Sequence, residues 1–453
     1  MPSPEVSLAK TLWTALGGDS SALDALHFSG PSGGLPSRFH VSDLAAATIG
    51  VATLAPAELW AARRKEPLRT VLVDRQLAAA AFRCERLLQP IGWTLPPVRD
   101  PITDDYEAAD GWIRLHTNYS YHRDAVTRVL GVPAKRERVA AAVKSRNATD
   151  LETAVVDAGG CAAALRTTEA WRAHPQGAAL SGEALCDWSG PYAPHALPPD
   201  ASAPLSGVRV LDLTRVIAGP MGTRYLAAFG ADVLRIDPPK FEDVGALLPE
   251  TTRGKRCTAL DLREPLDRSM WEALIAKAEV LVHGYRPGAM EALGYPAERL
   301  RELNPTIVIV RYDAYGWSGP WAGRRGFDSL VQMSTGLAHA GHDGHPKPLP
   351  AQALDHGTGY LVAAAVCRAL TDGRSSARLS LARTARMLVE LGTDGDPEAP
   401  AISDADALLE TSATAWGPVR QVSCPARIEG YKIRWREVAG PPGRHPPRWI
   451  ELV

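Results

Sequence analysis

Buried strands and amphipathic helices alternate along residues 207–395. The apolar run VRVLDL is followed by a predicted helix that ends at Gly230, and the next apolar run, ADVLRID, ends before Pro238 and Pro239. Further amphipathic helices precede the strands EVLVH and TIVIVRY. Strands that are apolar on both faces and are joined by helices are typical of a parallel sheet. The pattern therefore predicts an α/β domain with a doubly wound, Rossmann-like fold.

Residues before position 189 follow a less regular pattern. An alanine-rich helix near 43–64 and the strand TVLVD come first, and the strand DGWIRLH, three helices and the short strand CAAALR follow. This order predicts a smaller α+β domain over residues 101–188, after a helix–strand segment over residues 1–100. The Pro-rich stretch at 189–206 favours an extended linker, because prolines at this density prevent helix.

An internal repeat links the two parts. The alanine-rich helix from Asp43 precedes a basic turn and the strand RTVLV, and the stretch from Asp355, DHGTGYLVAAAVCRAL followed by DGRSSARLSL, has the same order. Common descent and chance can both account for two such helices.

Composition and charge narrow the class of protein. The 453 residues are 45% hydrophobic and 22% charged, with a net charge of −1, so we expect a soluble protein with neither nucleic acid nor a membrane as partner. We find no apolar span of about 18 residues and no signal-peptide pattern. The six cysteines are scattered without a CxxC pair, which is typical of reduced thiols rather than disulfides or a zinc site. These features predict a cytoplasmic protein.

Three segments of the large domain carry candidate binding chemistry. AGPMG, from Ala218 to Gly222, lies between a predicted strand and helix, where backbone N–H groups can contact a phosphate. Asp237 ends the next strand and would suit a dinucleotide, but G-x-G-x-x-G is absent, so a packing turn is equally compatible. RGKRCTALDL is, alone, typical of a solvated basic loop. Arg286 follows the strand EVLVH, at the edge where ligands of open α/β sheets bind.

Two aspartates and three histidines are the remaining candidates. Asp355 precedes a Gly-x-Gly sequence, which predicts a turn whose N–H groups could stabilise an oxyanion before an alanine-rich helix. Spacing alone favours a helix N-cap role for Asp355, and Asp328 is expected to cap the helix that follows it. His339, His342 and His345 lack an accompanying carboxylate or cysteine, so we expect no metal site.

Five segments together resemble the family III CoA-transferases, which include formyl-CoA transferase and the alpha-methylacyl-CoA racemases. They are, in the family's order, VRVLDLTRVIAGPMGTRYLAAFGADVLRIDPP, GKRCTALDL, EVLVHGYRPGAMEALGY, NPTIVIVRYDAYGWSGPWAGRRGFDSLVQMSTG and DHGTGYLVAAAVCRAL. The resemblance implies an enzyme that moves CoA between an acyl-CoA thioester and a free carboxylic acid. Coenzyme A is then the implied cofactor, without a metal.

The resemblance also implies roles for individual residues. Asp355 matches the family's nucleophile, which attacks the acyl carbon and then carries CoA as an aspartyl thioester. The residues implied in CoA binding are Val216, Ile217, Ala218, Gly284, Tyr285, Arg286 and Arg325. Members of the family form interlocked dimers, so a homodimer is expected.

Departures from the family pattern leave alternatives open. The small domain precedes the large one, residues 1–100 resemble the family's connecting region, and residues 396–453 resemble its terminal tail, so the segment order is permuted. The family's glycine-rich lid has no clear counterpart, which keeps a non-catalytic acyl-CoA-binding homologue as an alternative. Racemases of the family have histidine where this chain has Phe327, which disfavours racemase activity. An NAD-type oxidoreductase is disfavoured by the missing G-x-G-x-x-G.

Overall fold

Helices and strands follow one another through the whole chain, and the computed structural model describes residues 3–193, 197, 202–339, 344–402 and 405–450. The strands are β1 (Leu26–Ser29), β2 (Val71–Asp74), β3 (Gln89–Pro90), β4 (Asp104–Ala108), β5 (Gly111–Leu115), β6 (Ala162–Ala164), β7 (Asp187–Tyr192), β8 (Arg209–Leu213), β9 (Asp232–Asp237), β10 (Arg256–Ala259), β11 (Val280–His283), β12 (Val308–Asp313), β13 (Arg374–Ser380), β14 (Leu409–Thr414), β15 (Gly417–Val422) and β16 (Ala426–Ile428). The α-helices are α1 (Pro4–Ala15), α2 (Val41–Arg64), α3 (Arg75–Ala81), α4 (Cys84–Leu87), α5 (Ser120–Leu130), α6 (Arg136–Val143), α7 (Ala148–Asp157), α8 (Thr168–Ala173), α9 (Pro175–Ala179), α10 (Ala218–Ala228), α11 (Leu248–Thr251), α12 (Pro265–Ile275), α13 (Ala289–Ala292), α14 (Ala297–Leu303), α15 (Asp328–Thr335), α16 (Ala353–Asp372) and α17 (Leu381–Glu390).

The main sheet has the strand order β10–β9–β8–β11–β12–β13–β7. Strands β8 to β13 are parallel, and β7 pairs with β13 in the antiparallel direction. Counted from β8, the parallel strands follow the order 3-2-1-4-5-6 of the Rossmann fold, so the predicted fold class is confirmed. Residues 189–192 of the predicted linker belong to β7, where Pro191 is tolerated because β7 is an edge strand.

Helices cover both faces of the main sheet. Val210 and Val282 point to one face and share a core cluster with residues of α10 and α16. Leu211 and Leu281 point to the opposite face and pack with Trp271 of α12. This double burial explains why the strands are apolar at consecutive positions rather than at alternate ones.

The first hundred residues join the core of the large domain rather than forming a separate one. Helix α2 packs along α16, so the two helices of the sequence repeat are neighbours, and Asp43 and Asp355 each occupy the third position of their helix. Contrary to our expectation, α2 is long and apolar enough by composition to cross a membrane. Within the structure, 89% of its most apolar 18-residue window is buried, as in a core helix.

The small domain and the tail pack around this core. Strands β4, β5 and β6 form an antiparallel sheet that packs with α5, α6 and α7 around Ile113, Val126 and Leu151. Tail strands β15 and β16 pair with β3 and β2 of the first hundred residues. Beyond them, the indole N–H of Trp435 donates to the carbonyl of Arg224 at 3.0 Å, so this part of the tail contacts the large domain.

Candidate active site

A cavity of about 330 Å³ opens at the carboxyl ends of β8, β11 and β12. It lies between β8 and β11, where the winding direction of the sheet reverses and where ligands of this fold bind. Every site residue predicted from the sequence lines this cavity: Asp355, Val216, Ile217, Ala218, Gly284, Tyr285, Arg286 and Arg325.

The turn from β8 to α10 is held in a strained conformation. Val216 has a φ of 68°, a region in which a β-branched residue costs about 1–3 kcal/mol. The turn is fixed by Asp212, whose carboxylate accepts the Thr214 N–H at 2.8 Å and the Lys255 ammonium at 2.8 Å. Lys255 and Asp212 are both fully buried. The predicted solvated loop around Lys255 is therefore wrong, because the ammonium is the counter-charge of a buried aspartate.

Asp355 lies inside a helix, in its first turn. Helix α16 begins at Ala353 with Gln352 at its N-cap, so the predicted Gly-x-Gly turn and the N-cap role of Asp355 are both wrong. Gly359 serves helix packing instead: a Cβ at this position would lie 2.3 Å from the carbonyl oxygen of Ala218 in α10. Among the described residues, the Asp355 carboxylate has no hydrogen bond or ion pair, and the residue is 7% exposed. A buried carboxylate without a partner is free to react with a ligand.

Asp328 supports the start of the same helix. We expected it to cap its own helix, but its carboxylate instead accepts the backbone N–H groups of Leu354 and Asp355, at 2.8 and 2.9 Å. Burial raises the pKa of Asp328 to about 6, and the two N–H groups partly oppose this rise. Burial and the nearby charges of Asp328 and Glu85 raise the pKa of Asp355 well above its usual range. Asp328 thus fixes the position of Asp355 and also makes it harder to ionise.

Glu85 and His356 form a buried pair that the sequence did not indicate. The His356 ring nitrogen Nε2 lies 3.1 Å from the Glu85 carboxylate, and His356 is fully buried against Phe82. The thiol of Cys84 lies close enough to both for a shared metal, since the three ligand atoms are within 4.8 Å of one another. Burial holds the pKa of Cys84 well above its usual range.

The three histidines considered as metal ligands do not form one described site. The His345 ring packs at a tilt against Trp112 with a centroid distance of 4.8 Å, and the backbone carbonyl of His339 accepts a hydrogen bond from the Arg38 guanidinium at 2.6 Å. His342 lies outside the described residues.

The arginines of the cavity differ in their partners. Arg215 lies 3.3 Å from the carboxylate of Asp237, and Arg324 donates to Glu152 at 2.8 Å. Because Asp237 is buried in this ion pair, it is not available to a ribose hydroxyl, as the dinucleotide alternative requires. Arg286 and Arg325, in contrast, have no carboxylate partner among the described residues. Burial and the charge of Arg325 lower the pKa of Arg286, because two neighbouring cations repel each other. A bound anion would relieve this repulsion.

The small domain supplies one wall of the cavity. Tyr119, Tyr121 and His122 line it together with Asp355. They were not predicted as site residues, because they lie outside the segments that carry the resemblance and have no local motif. Phe327 also lines the cavity and stacks on His116 at a centroid distance of 3.7 Å.

Part of the chain is similar to known proteins. Residues 205–388 match the family described as CoA-transferase family III. The chain is 34% identical over 184 residues to the probable fatty acyl-CoA transferase Rv3272 of Mycobacterium tuberculosis. This alignment covers 37% of this chain and 46% of the relative. It is 33% identical over 180 residues to the formyl-CoA:oxalate CoA-transferase of Bradyrhizobium diazoefficiens. That alignment covers 37% of this chain and 42% of the relative.

A crystal structure of Rv3272 aligns with a TM-score of 0.40 at 32% identity, covering 42% of this chain and 57% of that chain. The chain thus spans less than half the length of the two curated relatives. The matched residues include β8 to β13, the cavity segments that follow these strands, and Asp355. Residues 205–388 of this chain are therefore similar to CoA-transferase family III.

Proposed function

We propose that this chain is a CoA-transferase that moves CoA from an acyl-CoA thioester to a free carboxylic acid through an aspartyl-CoA intermediate on Asp355. The observation that carries the proposal is the unpartnered Asp355 carboxylate in a cavity that also holds two arginines without carboxylate partners. A nucleophilic carboxylate and cations for the CoA phosphates are the groups that this reaction needs. Of the two curated relatives named above, one is a formyl-CoA:oxalate CoA-transferase and the other a probable fatty acyl-CoA transferase, which supports the same activity.

The reaction balances with groups of the chain and the substrates alone. The Asp355 carboxylate attacks the thioester carbonyl, the C–S bond breaks, and a mixed anhydride and the CoA thiolate form. The thiolate attacks the aspartyl carbonyl and releases the first carboxylate, which leaves CoA on Asp355 as a thioester. The acceptor carboxylate then repeats the two steps in reverse and leaves with CoA. Both intermediates hydrolyse in water, so burial of Asp355 protects them.

Two residues contribute to the position of the reacting carboxylate. Asp328 binds the N–H groups at the start of α16 and so orients the first turn of the helix that carries Asp355. The strained Val216 places the following residues, Ile217 and Ala218, at the cavity wall. Phe327 stands where racemases of the family have histidine, and we therefore favour transfer over racemisation. From the resemblance we also propose a homodimer, which a monomer in light scattering at micromolar concentration would contradict.

The substitution Asp355→Asn tests the proposal. Asn has nearly the same shape but cannot form an anhydride, so transfer should fall by several orders of magnitude while folding and CoA binding persist. Asp24→Asn, at an exposed position, is the matched control and should keep full activity. Transfer that survives Asp355→Asn would remove Asp355 from the mechanism.

A further inference from the structure

Three rings form a continuous surface beside the reacting carboxylate. We call Tyr119, His122 and Phe327 the aromatic wall. The ring centroids lie 5.6 Å apart for Tyr119 and His122, 5.8 Å for His122 and Phe327, and 6.4 Å for Tyr119 and Phe327. The three rings line the same cavity as Asp355, and Phe327 directly precedes Asp328, which binds the backbone of Asp355. A ligand group attached to the reacting carbonyl would therefore contact these rings.

The aromatic wall is uncharged at neutral pH. Tyr119 and His122 are 4% and 1% exposed. Burial lowers the pKa of His122 to about 4, so its imidazole is neutral near pH 7. Burial also raises the pKa of Tyr119, which keeps the phenol protonated. Flat, neutral rings favour a flat or apolar ligand group over a charged one.

The cations of the cavity are needed elsewhere. Arg215 and Arg324 already pair with carboxylates of the chain, Asp237 and Glu152. Only Arg286 and Arg325 lack such partners among the described residues, and Arg286 is exposed at the rim of the cavity. A bound CoA carries a diphosphate and a further phosphate, which both arginines can bind. Among the described residues of the cavity, no arginine without a carboxylate partner then remains for the second carboxylate of a dicarboxylic acid such as oxalate or succinate.

The surface that would suit the adenine ring of CoA adjoins the exposed end of the wall: the ring centroid of Tyr121 lies 5.5 Å from that of Tyr119 and 4.3 Å from that of His122. Tyr121 is 46% exposed and lies at the rim, where the guanidinium carbon of Arg325 stands 5.9 Å from its ring centroid. An adenine is joined to phosphates and would stay with the arginines at this rim. The buried rings are left for the acyl group.

We propose that the acids exchanged by this site are aryl or similarly flat apolar monocarboxylic acids, and that Tyr119 and His122 of the small domain, with Phe327, select them. This inference rests on the proposed CoA-transferase function. It adds a role for residues 119–122, which lie outside the part of the chain that matches the family.

Transfer from acetyl-CoA to a panel of acids tests the selection. Benzoate and phenylacetate should exceed oxalate and succinate by about 100-fold or more in kcat/KM, because a second carboxylate would be buried without a counter-charge. Higher values for oxalate or succinate would overturn the inference and leave the transferase function intact. A loss of transfer with every acid would instead count against the proposed function.

Binding to the Asp355→Asn protein tests the selection even without turnover. By calorimetry, benzoyl-CoA should bind at least about 10-fold more tightly than succinyl-CoA, since both carry the same CoA moiety. Equal or tighter binding of succinyl-CoA would overturn the inference.

Replacing a residue of the aromatic wall tests whether its ring selects the acyl group. Phe327→Ala should weaken benzoyl-CoA binding by about 10-fold or more while acetyl-CoA binding changes by less than about 3-fold. Tyr192→Ala removes an aromatic side chain that is 74% exposed and lies outside the cavity, and it should change neither value. An equal loss of both ligands in Phe327→Ala would show that the ring supports the fold or the CoA moiety rather than the acyl group.

Discussion

Two glycines of α16 should respond in opposite ways to the same substitution. A Cβ on Gly359 would lie 2.3 Å from the carbonyl oxygen of Ala218 and 3.4 Å from the Gly222 nitrogen. Both are backbone atoms, so α10 and α16 must move apart by about 1 Å. Such overpacking costs about 1–3 kcal/mol and outweighs the helix propensity that alanine gains over glycine. We expect Gly359→Ala to lower the free energy of unfolding by about 2 kcal/mol.

Gly357 is the matched control in the same helix. Its Cβ would meet only side-chain atoms, the nearest being a methyl group of Thr384 at 3.4 Å. Gly357→Ala should therefore be neutral or stabilise the protein by up to about 1 kcal/mol through helix propensity. Urea unfolding of both variants measures the difference. If Gly359→Ala is as stable as Gly357→Ala, the close crossing of α10 and α16 is not what requires glycine at position 359.

Three further predictions follow from the charges of the site. Asp328→Asn keeps an oxygen for the N–H groups of α16 but removes a negative charge beside Asp355, so the pKa of Asp355 should fall. Transfer needs the ionised carboxylate, so kcat/KM declines as the pH falls through this pKa. In Asp328→Asn this decline should occur at a pH lower by on the order of one unit. A decline at the same or a higher pH would refute the electrostatic coupling of Asp328 and Asp355. Lys255→Met leaves the buried Asp212 without its counter-charge and should cost about 3–5 kcal/mol in urea unfolding, partly restored by adding Asp212→Asn. A loss below about 1 kcal/mol would show that the pair is not what holds the turn. Arg286→Ala should weaken CoA binding by about 1.5–3 kcal/mol in calorimetry, whereas the exposed control Arg172→Ala should not weaken it. An unchanged Kd for CoA in Arg286→Ala would show that CoA binds elsewhere.

The sheet was predictable because its strands are buried on both faces. Consecutive apolar residues such as Val210 and Leu211 indicate double burial without any knowledge of tertiary contacts. The cavity residues were predictable from the resemblance, since they lie in the turns that follow the strands. These turns follow the carboxyl ends of parallel strands, and such ends lie at the same edge of the main sheet.

Local sequence failed where a distant partner decides the structure. Gly357 and Gly359 are poor helix formers, so the sequence predicts a turn, but contact with α10 requires glycine within the helix. Lys255 is buried only because Asp212, 43 residues earlier, pairs with it. Glu85 lies 271 residues from His356, so the sequence around either residue does not indicate that the two are paired. Asp328 caps a helix that begins 25 residues further along the chain, which no capping pattern of its own helix could indicate.

Covalent trapping tests the central claim most directly. The protein is incubated with an acyl-CoA and then with hydroxylamine, which converts an activated carboxyl group into a hydroxamate, and the modified peptide is identified by mass spectrometry. We expect the modification on Asp355, dependent on acyl-CoA and lost in Asp355→Asn. A modification on Asp328 or another carboxylate, with Asp355 unmodified, would show that Asp355 is not the nucleophile.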